Sequence, residues 1–210
     1  PCLRDSVVKM DPSQPQPDWP QVVHHDPRGR FIVVDKPAGV LSVPGKGEAK
    51  QDCIASRVLE RWVPPGMATG GFSPIVHRLD ADTSGLMVLA LDPEAQRRLS
   101  ADFEARRVDK AYIARVHGCP PMEEGTIDLP MRLDVDHRPM QIVDHAQGKP
   151  ALTRWKLLAA EPEGARLRLE PHTGRTHQLR VHCAAIGHPI IGDVLYGLVI
   201  DRDPLDPSRP

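Results

Sequence analysis

The sequence predicts a chain of mixed α/β class, and three segments carry that expectation. Phe31 to Asp35 reads FIVVD, a β-branched run with the turn-forming Asp26-Pro-Arg-Gly-Arg30 before it and Lys36-Pro-Ala-Gly39 after it, which argues for a strand. Leu86 to Leu91 reads LMVLAL, continuously apolar between Ser84-Gly85 and Asp92-Pro93, the pattern of a central strand buried on both faces. Asp92 as N-cap and Pro93 as first helical residue then open a helix whose Ala95, Leu99 and Phe103 form one apolar stripe, ending near Arg106 and Arg107.

The remaining elements extend the same alternation. Asp52 can cap a helix in which Ile54, Val58 and Trp62 recur every fourth residue, with Arg57, Glu60 and Arg61 outward, until Pro64 and Pro65 stop it. Strands are expected over Ala111 to Val116, Leu152 to Leu158 and Arg166 to Leu169, the last with Leu167 and Leu169 set between charged neighbours. From Thr176 to Ile186 the apolar Leu179, Cys183 and Ile186 return to helical spacing, and Gly187 supplies the stop. Residues 1–20 hold Pro12, Pro15, Pro17 and Pro20 among polar neighbours and read as a flexible tail. Residues 21–197 form the expected folded domain, and 198–210 read as an atypical C-terminal tail.

Bulk composition narrows the function classes. With 210 residues, 40% hydrophobic and 26% charged, the chain can bury a core in one or two domains. No apolar run approaches the ~20 residues that cross a bilayer, so no membrane role and a cytoplasmic setting are expected. The four cysteines are scattered without a CxxC pair, which suggests neither a disulfide framework nor a zinc knuckle. A net charge of -1 counts against coating nucleic acid by charge alone, so any RNA site must be a local patch.

Two segments concentrate chemistry. His77-Arg-Leu-Asp-Ala-Asp-Thr-Ser-Gly85 places two carboxylates and a guanidinium in a loop before an apolar strand, where catalytic groups often sit, although from this segment alone the ordinary reading is that Asp80 and Asp82 cap a turn. Thr173-Gly-Arg-Thr-His-Gln-Leu-Arg-Val-His182 opens a helix, so its amides and Arg175 could face an anion together; the alternative is an amphipathic helix with solvated Arg180 and packed His182. A zinc site from His172, His177, His182 and Cys183 is disfavoured because its spacings do not stack ligands on one helical face, and no metal is expected. Tyr112 lies in a strand with residues 112, 114 and 116 on one face, where a core position is the ordinary reading. Lys36-Pro-Ala-Gly39 suits phosphate approach or simply a tight turn.

Taken in order, HRLDADTSG at 77–85, Lys110-Ala-Tyr-Ile-Ala-Arg-Val116 and TGRTHQLRVH at 173–182 resemble the signatures of the RluA family of pseudouridine synthases. Val34-Asp-Lys-Pro-Ala-Gly-Val-Leu-Ser-Val-Pro44 and Gly187-His-Pro-Ile-Ile-Gly-Asp-Val-Leu-Tyr196 extend the likeness over about three quarters of the chain, and 137–153 resembles the short RluA type. The resemblance implies a mixed, mainly antiparallel sheet with flanking helices and a cleft across its middle. It implies a cofactor-independent isomerase acting, likewise without a metal, as a monomer on structured RNA, either ribosomal RNA or tRNA anticodon stem-loops. It makes Asp80 the catalytic carboxylate, Arg175 its ion-pair partner and Tyr112 the contact to the flipped uracil, with Arg78 entering the RNA stack. Lys36, His77 and Thr83 would contact RNA, as would Arg106, Arg107, His177 and Arg180.

One departure and three rivals stand beside this reading. After Tyr196 the chain lacks the family's Arg-Leu-x-Leu-His-Ala segment and a last strand, an expected loss of packing near the cleft. An RNA-binding module would account for the arginines at 97, 98, 106 and 107 but not for the coexisting motifs. A nucleoside hydrolase would use two carboxylates on the same bond, with Asp82 as the second. A purely structural ribosome-binding role is the third.

Overall fold

The computed structural model describes residues 20–197, the side chains of 68 and 69 apart; of the expected tails, 1–20 and 198–210, all but Pro20 lies outside the described residues, and Pro20 is buried. The chain divides after Ser100 into two compact units. The α/β class holds in both, and every pairing between the named strands is antiparallel.

In the first unit, β1 (Gln21–His25), β2 (Phe31–Lys36) and β3 (Gly85–Ala90) form a sheet in that order. The β1–β2 hairpin is closed by Asp26, whose carboxylate accepts the amides of Arg28 and Arg30, each at 3.1 Å. Its first strand was not foreseen, although Val22-Val23 directly before a turn carried the signal. The β2–β3 register is unbroken from Phe31 opposite Ala90 to Lys36 opposite Gly85. β2, not β3, is therefore the middle strand, and the outer edge of β3 meets Pro74, Ile75 and the His77 side chain. Leu86 is 60% exposed, so the apolar run is not buried throughout, although Met87, Leu89, Ala90 and Leu91 are buried.

Helix α1 (Ile54–Trp62) buries Ile54 and Val58 as the spacing predicts, together with Ala55, while Trp62 is only half-buried, and its cap is Cys53 rather than Asp52. The Cys53 amide donates to Ser56 Oγ at 3.0 Å and its sulfur accepts the Ser56 amide, a reciprocal capping box. Asp52 is instead drawn off by Arg57 in a two-pronged ion pair at 2.6 Å. Pro65, expected only to stop α1, also begins the short α2 (Pro65–Thr69), where a first-position proline loses no helical hydrogen bond. Helix α3 (Pro93–Glu104) starts as expected: Asp92 Oδ1 accepts the amides of Glu94 and Ala95 at 2.9 Å. Arg30 also binds both oxygens of Asp92, which holds that carboxyl far below the usual carboxylate range.

In the second unit, β4 (Tyr112–His117), β9 (Gly164–Pro171), β8 (Leu152–Glu161) and β5 (Glu124–Asp128) make a four-stranded sheet in that order, and β6 (Met131–Leu133) pairs with β7 (Gln141–Val143). One face of the larger sheet builds a core of Val116, Ile127, Trp155, Leu167 and Leu169 with Cys183. Gly164 sits where β9 crosses β4 so closely that a Cβ would lie 2.0 Å from the Val116 carbonyl oxygen, so no other residue fits. Helix α4 (Gln178–Ala185) ends at Gly187, whose φ of 78° returns its amide to Ala184, as its glycine predicts.

Candidate active site

The loop that carries Asp80 is built in the first unit by anchoring the residues on either side of it. Ser42, buried beneath the loop, accepts the Leu79 amide at 3.1 Å and donates to the Leu79 carbonyl at 2.6 Å, satisfying both backbone groups with one hydroxyl. The Ala81 carbonyl accepts from Lys36 Nζ at 2.8 Å and from the Gly39 amide at 2.9 Å. Gly39 takes φ 85°, a conformation that glycine adopts without steric cost. A turn from Asp80 to Thr83 closes the loop, with the Thr83 amide 3.1 Å from the Asp80 carbonyl. Asp80 and Ala81 are half-buried beside the buried Leu79, while Arg78 is exposed.

Lys36 is not a surface phosphate contact: it is fully buried, and its ammonium also donates to the carbonyls of Pro37 at 3.0 Å and Val40 at 2.7 Å. Three carbonyl oxygens thus converge on one three-donor cation, tying the Lys36-Pro-Ala-Gly39 turn to the Asp80 loop. Burial pushes its pKa down to about 8 against the pull of the Asp82 and Asp80 carboxylates, leaving it charged at neutral pH. His77 Nε2 accepts the Val88 amide at 3.0 Å, covering an open donor on β3 and leaving that nitrogen unprotonated.

In the second unit the Thr173-Gly-Arg-Thr-His motif is held by a buried polar chain. Gln178 Oε1 accepts from Thr173 Oγ1 at 2.7 Å and from the Arg175 amide at 3.0 Å, while its Nε2 donates to Leu152 O and Thr153 Oγ1, each at 3.0 Å. Thr153 Oγ1 also meets His182 Nδ1 at 2.9 Å, and His182 Nε2 reaches Leu129 O at 3.1 Å. Burial lowers the His182 pKa, so it packs as a neutral ring, as the amphipathic reading had it. Arg175 Nε donates to Pro150 O at 3.1 Å. The helix begins at Gln178, two residues later than expected, and His177 takes the left-handed N-cap conformation at φ 54° with Nδ1 2.8 Å from the Tyr196 hydroxyl.

Arg180, expected to be solvated or on RNA, grips both oxygens of Asp193 at 2.7 Å and stacks 5.1 Å from the Tyr196 ring centre. Tyr112 lies half-buried against the core of the second sheet, in line with Ala114 and Val116. Arg107 is paired with Asp102 at 2.6 Å, whereas Arg106 is exposed at a positive φ of 58°. Sequence reasoning missed the supporting residues Ser42, Thr153, Thr173 and Gln178. For the last, its spacing of four from His182 on one helix face was the available signal. Among the described residues no three His, Cys, Asp or Glu side chains converge as a metal site would require.

Comparison with known proteins places these loops in a family. The model for RNA pseudouridylate synthase matches residues 30–185. The chain is 44% identical over 183 residues to the dual-specificity RNA pseudouridine synthase RluA of Salmonella typhi, covering 87% of this chain and 79% of that protein. It is 43% identical over the same length to the protein of that name from Escherichia coli K12. Among solved structures it resembles human RNA pseudouridylate synthase domain containing 1, at 31% identity and a TM-score of 0.65, over 84% of this chain and 69% of that one. Human RNA pseudouridylate synthase domain containing 4 gives 28% identity and a TM-score of 0.66, over 90% and 72%. Since the matched stretch contains both anchored motifs from end to end, the chain belongs to the RNA pseudouridylate synthase family of isomerases.

Proposed function

We propose that this chain isomerises selected uridines to pseudouridine in large-subunit ribosomal RNA, tRNA anticodon stem-loops or both, with Asp80 as its catalytic carboxylate. The substrate range rests on relatives of that dual specificity at 44% identity. The observation that carries the catalytic assignment is the double anchoring of the Asp80 loop, at Leu79 by Ser42 and at Ala81 by Lys36 and Gly39. Buried polar atoms are spent on fixing the loop backbone, as a preorganised catalytic group demands.

The target nucleotide must leave its stack before its glycosidic bond can be reached, and the exposed Arg78 is suited to fill the vacated space. Breaking N1–C1′, turning the base and joining C5 to C1′ moves one proton from C5 to solvent and one to N1. The reaction is redox-neutral and calls for no redox cofactor. Asp80 acts on the sugar as nucleophile or base, and the family's signature motifs assign Arg175 and Tyr112 to the same reaction. Residues 21–197 act as the catalytic domain, working as a monomer in the cytoplasm. Lys36, His77 and Arg180 serve by positioning, because their polar atoms are engaged within the protein.

Incubation with unmodified ribosomal and transfer RNA, followed by carbodiimide adduct mapping, tests the proposal. New reverse-transcription stops at defined uridines are expected. Bound RNA with no new stop would make this a binding protein, and free uracil would make it a hydrolase.

A further inference from the structure

The second unit contains a cavity of about 490 Å³ lined by Arg106, Lys110, Arg154, Arg168, Glu170 and His172, with Asp109 at its wall. Four cations face two carboxylates, and one of those, Glu170, is already engaged by Arg168 Nε at 2.7 Å. Among the described residues, no acceptor lies within hydrogen-bond reach of the Arg106 or Arg154 guanidinium. Lys110 is half-buried, and its ammonium donates a long hydrogen bond to the Thr173 carbonyl at 3.4 Å. Burial, and to a lesser extent the neighbouring Arg106 charge, lowers its pKa.

The placement of these groups is fixed by the sheet. On β8, Arg154 alternates with buried Thr153 and Trp155; on β9, Arg168 alternates with buried Leu167 and Leu169. With Arg154 opposite Glu170 and Lys156 opposite Arg168, the two arginines lie diagonally on the outward face, and Lys156 and Arg168 face each other as like charges. Glu170, paired with Arg168, offsets only part of this positive charge. Arg106 joins them from a left-handed backbone position that a non-glycine residue occupies at a cost.

We propose that this cavity binds backbone phosphodiesters of the substrate RNA, with Arg154, Arg168, Arg106 and Lys110 as the contacts. The inference rests on the reading of the chain as an RNA-modifying enzyme. Planar guanidinium groups pair with phosphate oxygens through two parallel hydrogen bonds, which suits the three arginines, and Lys110 adds a point charge from the floor. Contacts of this kind set register and affinity without reading sequence.

The test is equilibrium binding of the full chain to a labelled tRNA anticodon stem-loop and to an unrelated hairpin, across a salt series. Arg154→Gln, Arg168→Gln and Arg106→Asn are compared with the parent, asparagine being chosen because it tolerates the left-handed backbone. Each variant should weaken both RNAs several-fold and reduce the slope of log affinity against log salt by about 0.7–0.9 per lost phosphate contact. Melting temperatures within about a degree of the parent's would assign the loss to binding. Parental slopes and affinities in all three variants would overturn the subsite, as would a parent that binds neither RNA. A parent that binds with the expected slopes yet leaves every uridine intact would sink the isomerase reading while the subsite stands.

Discussion

The Lys36 ammonium lies 2.8 Å from the carbonyl oxygen of Ala81, the residue after Asp80, so a cation 44 positions upstream of that carboxylate fixes the backbone beside it. Lys36→Met removes the donor from the Pro37, Val40 and Ala81 carbonyls, of which only Ala81 keeps a second donor, the Gly39 amide. Unfolding free energy should fall by about 2–4 kcal/mol, read by urea denaturation. The pH dependence has a definite sign. With the folded pKa near 8 against an ordinary 10.5, the unfolded chain holds more protons between those values, so this group's contribution to stability rises with pH across that window. Its ceiling is about 3 kcal/mol, and the gap between parent and Lys36→Met should widen from pH 8 to 10.5.

Ser42 offers a cleaner test of loop anchoring. Ser42→Ala leaves the amide and carbonyl of Leu79 without their partner in a buried position. A loss of about 1–3 kcal/mol in stability is expected. Turnover should fall with little change in KM, because the loop holds Asp80 rather than bulk RNA. Steady-state kinetics on a stem-loop would read the split, and an unchanged kcat would argue against anchoring.

Arg180 and Asp193 form a nearly dry pair, with 15% and 4% of their side chains exposed. Burial raises the Asp193 pKa, but the Arg180 bonds and the Leu195 and Tyr196 amides outweigh it and hold the carboxylate ionised. Arg180→Met therefore strands a buried charge and should cost about 3–5 kcal/mol. Asp193→Asn in the same background should recover part of that loss, a coupling measurable in a double-mutant cycle.

His182 sets an acid limb. Its folded pKa lies below the ordinary 6.5 mainly through burial, so on acidification the unfolded chain takes up the proton first. Stability from this residue is present above about pH 6.5 and declines below it. His182→Gln should flatten the slope of unfolding free energy between pH 5 and 7 while lowering its plateau.

Much of this architecture was legible in the chain because local rules agreed with the fold. Asp92-Pro93, the Leu167 and Leu169 alternation and Gly187 each did in the structure what their chemistry predicts. Local reading failed where a competing partner lay elsewhere. Asp52 could not cap α1 because Arg57 claimed it, and Cys53 with Ser56 took its place. The apolar run at 86–91 implied a doubly buried strand, yet sheet order, which no local pattern encodes, left Leu86 in solvent. The motif positions of the candidate site were readable, but the engagement of Lys36, His77 and Arg180 was not. Their acceptors, Ala81, Val88 and Asp193, are identified only once the backbone is placed.

The most direct measurement is tritium release from RNA labelled at uridine C5, since joining C5 to C1′ expels that hydrogen. Parent and Asp80→Asn would be compared on a tRNA anticodon stem-loop and a ribosomal RNA fragment. The account predicts stoichiometric release by the parent and a loss of about 10²–10⁴-fold or more in the variant with RNA binding retained. Equal release by the variant, or none by a parent that binds both RNAs, would contradict it.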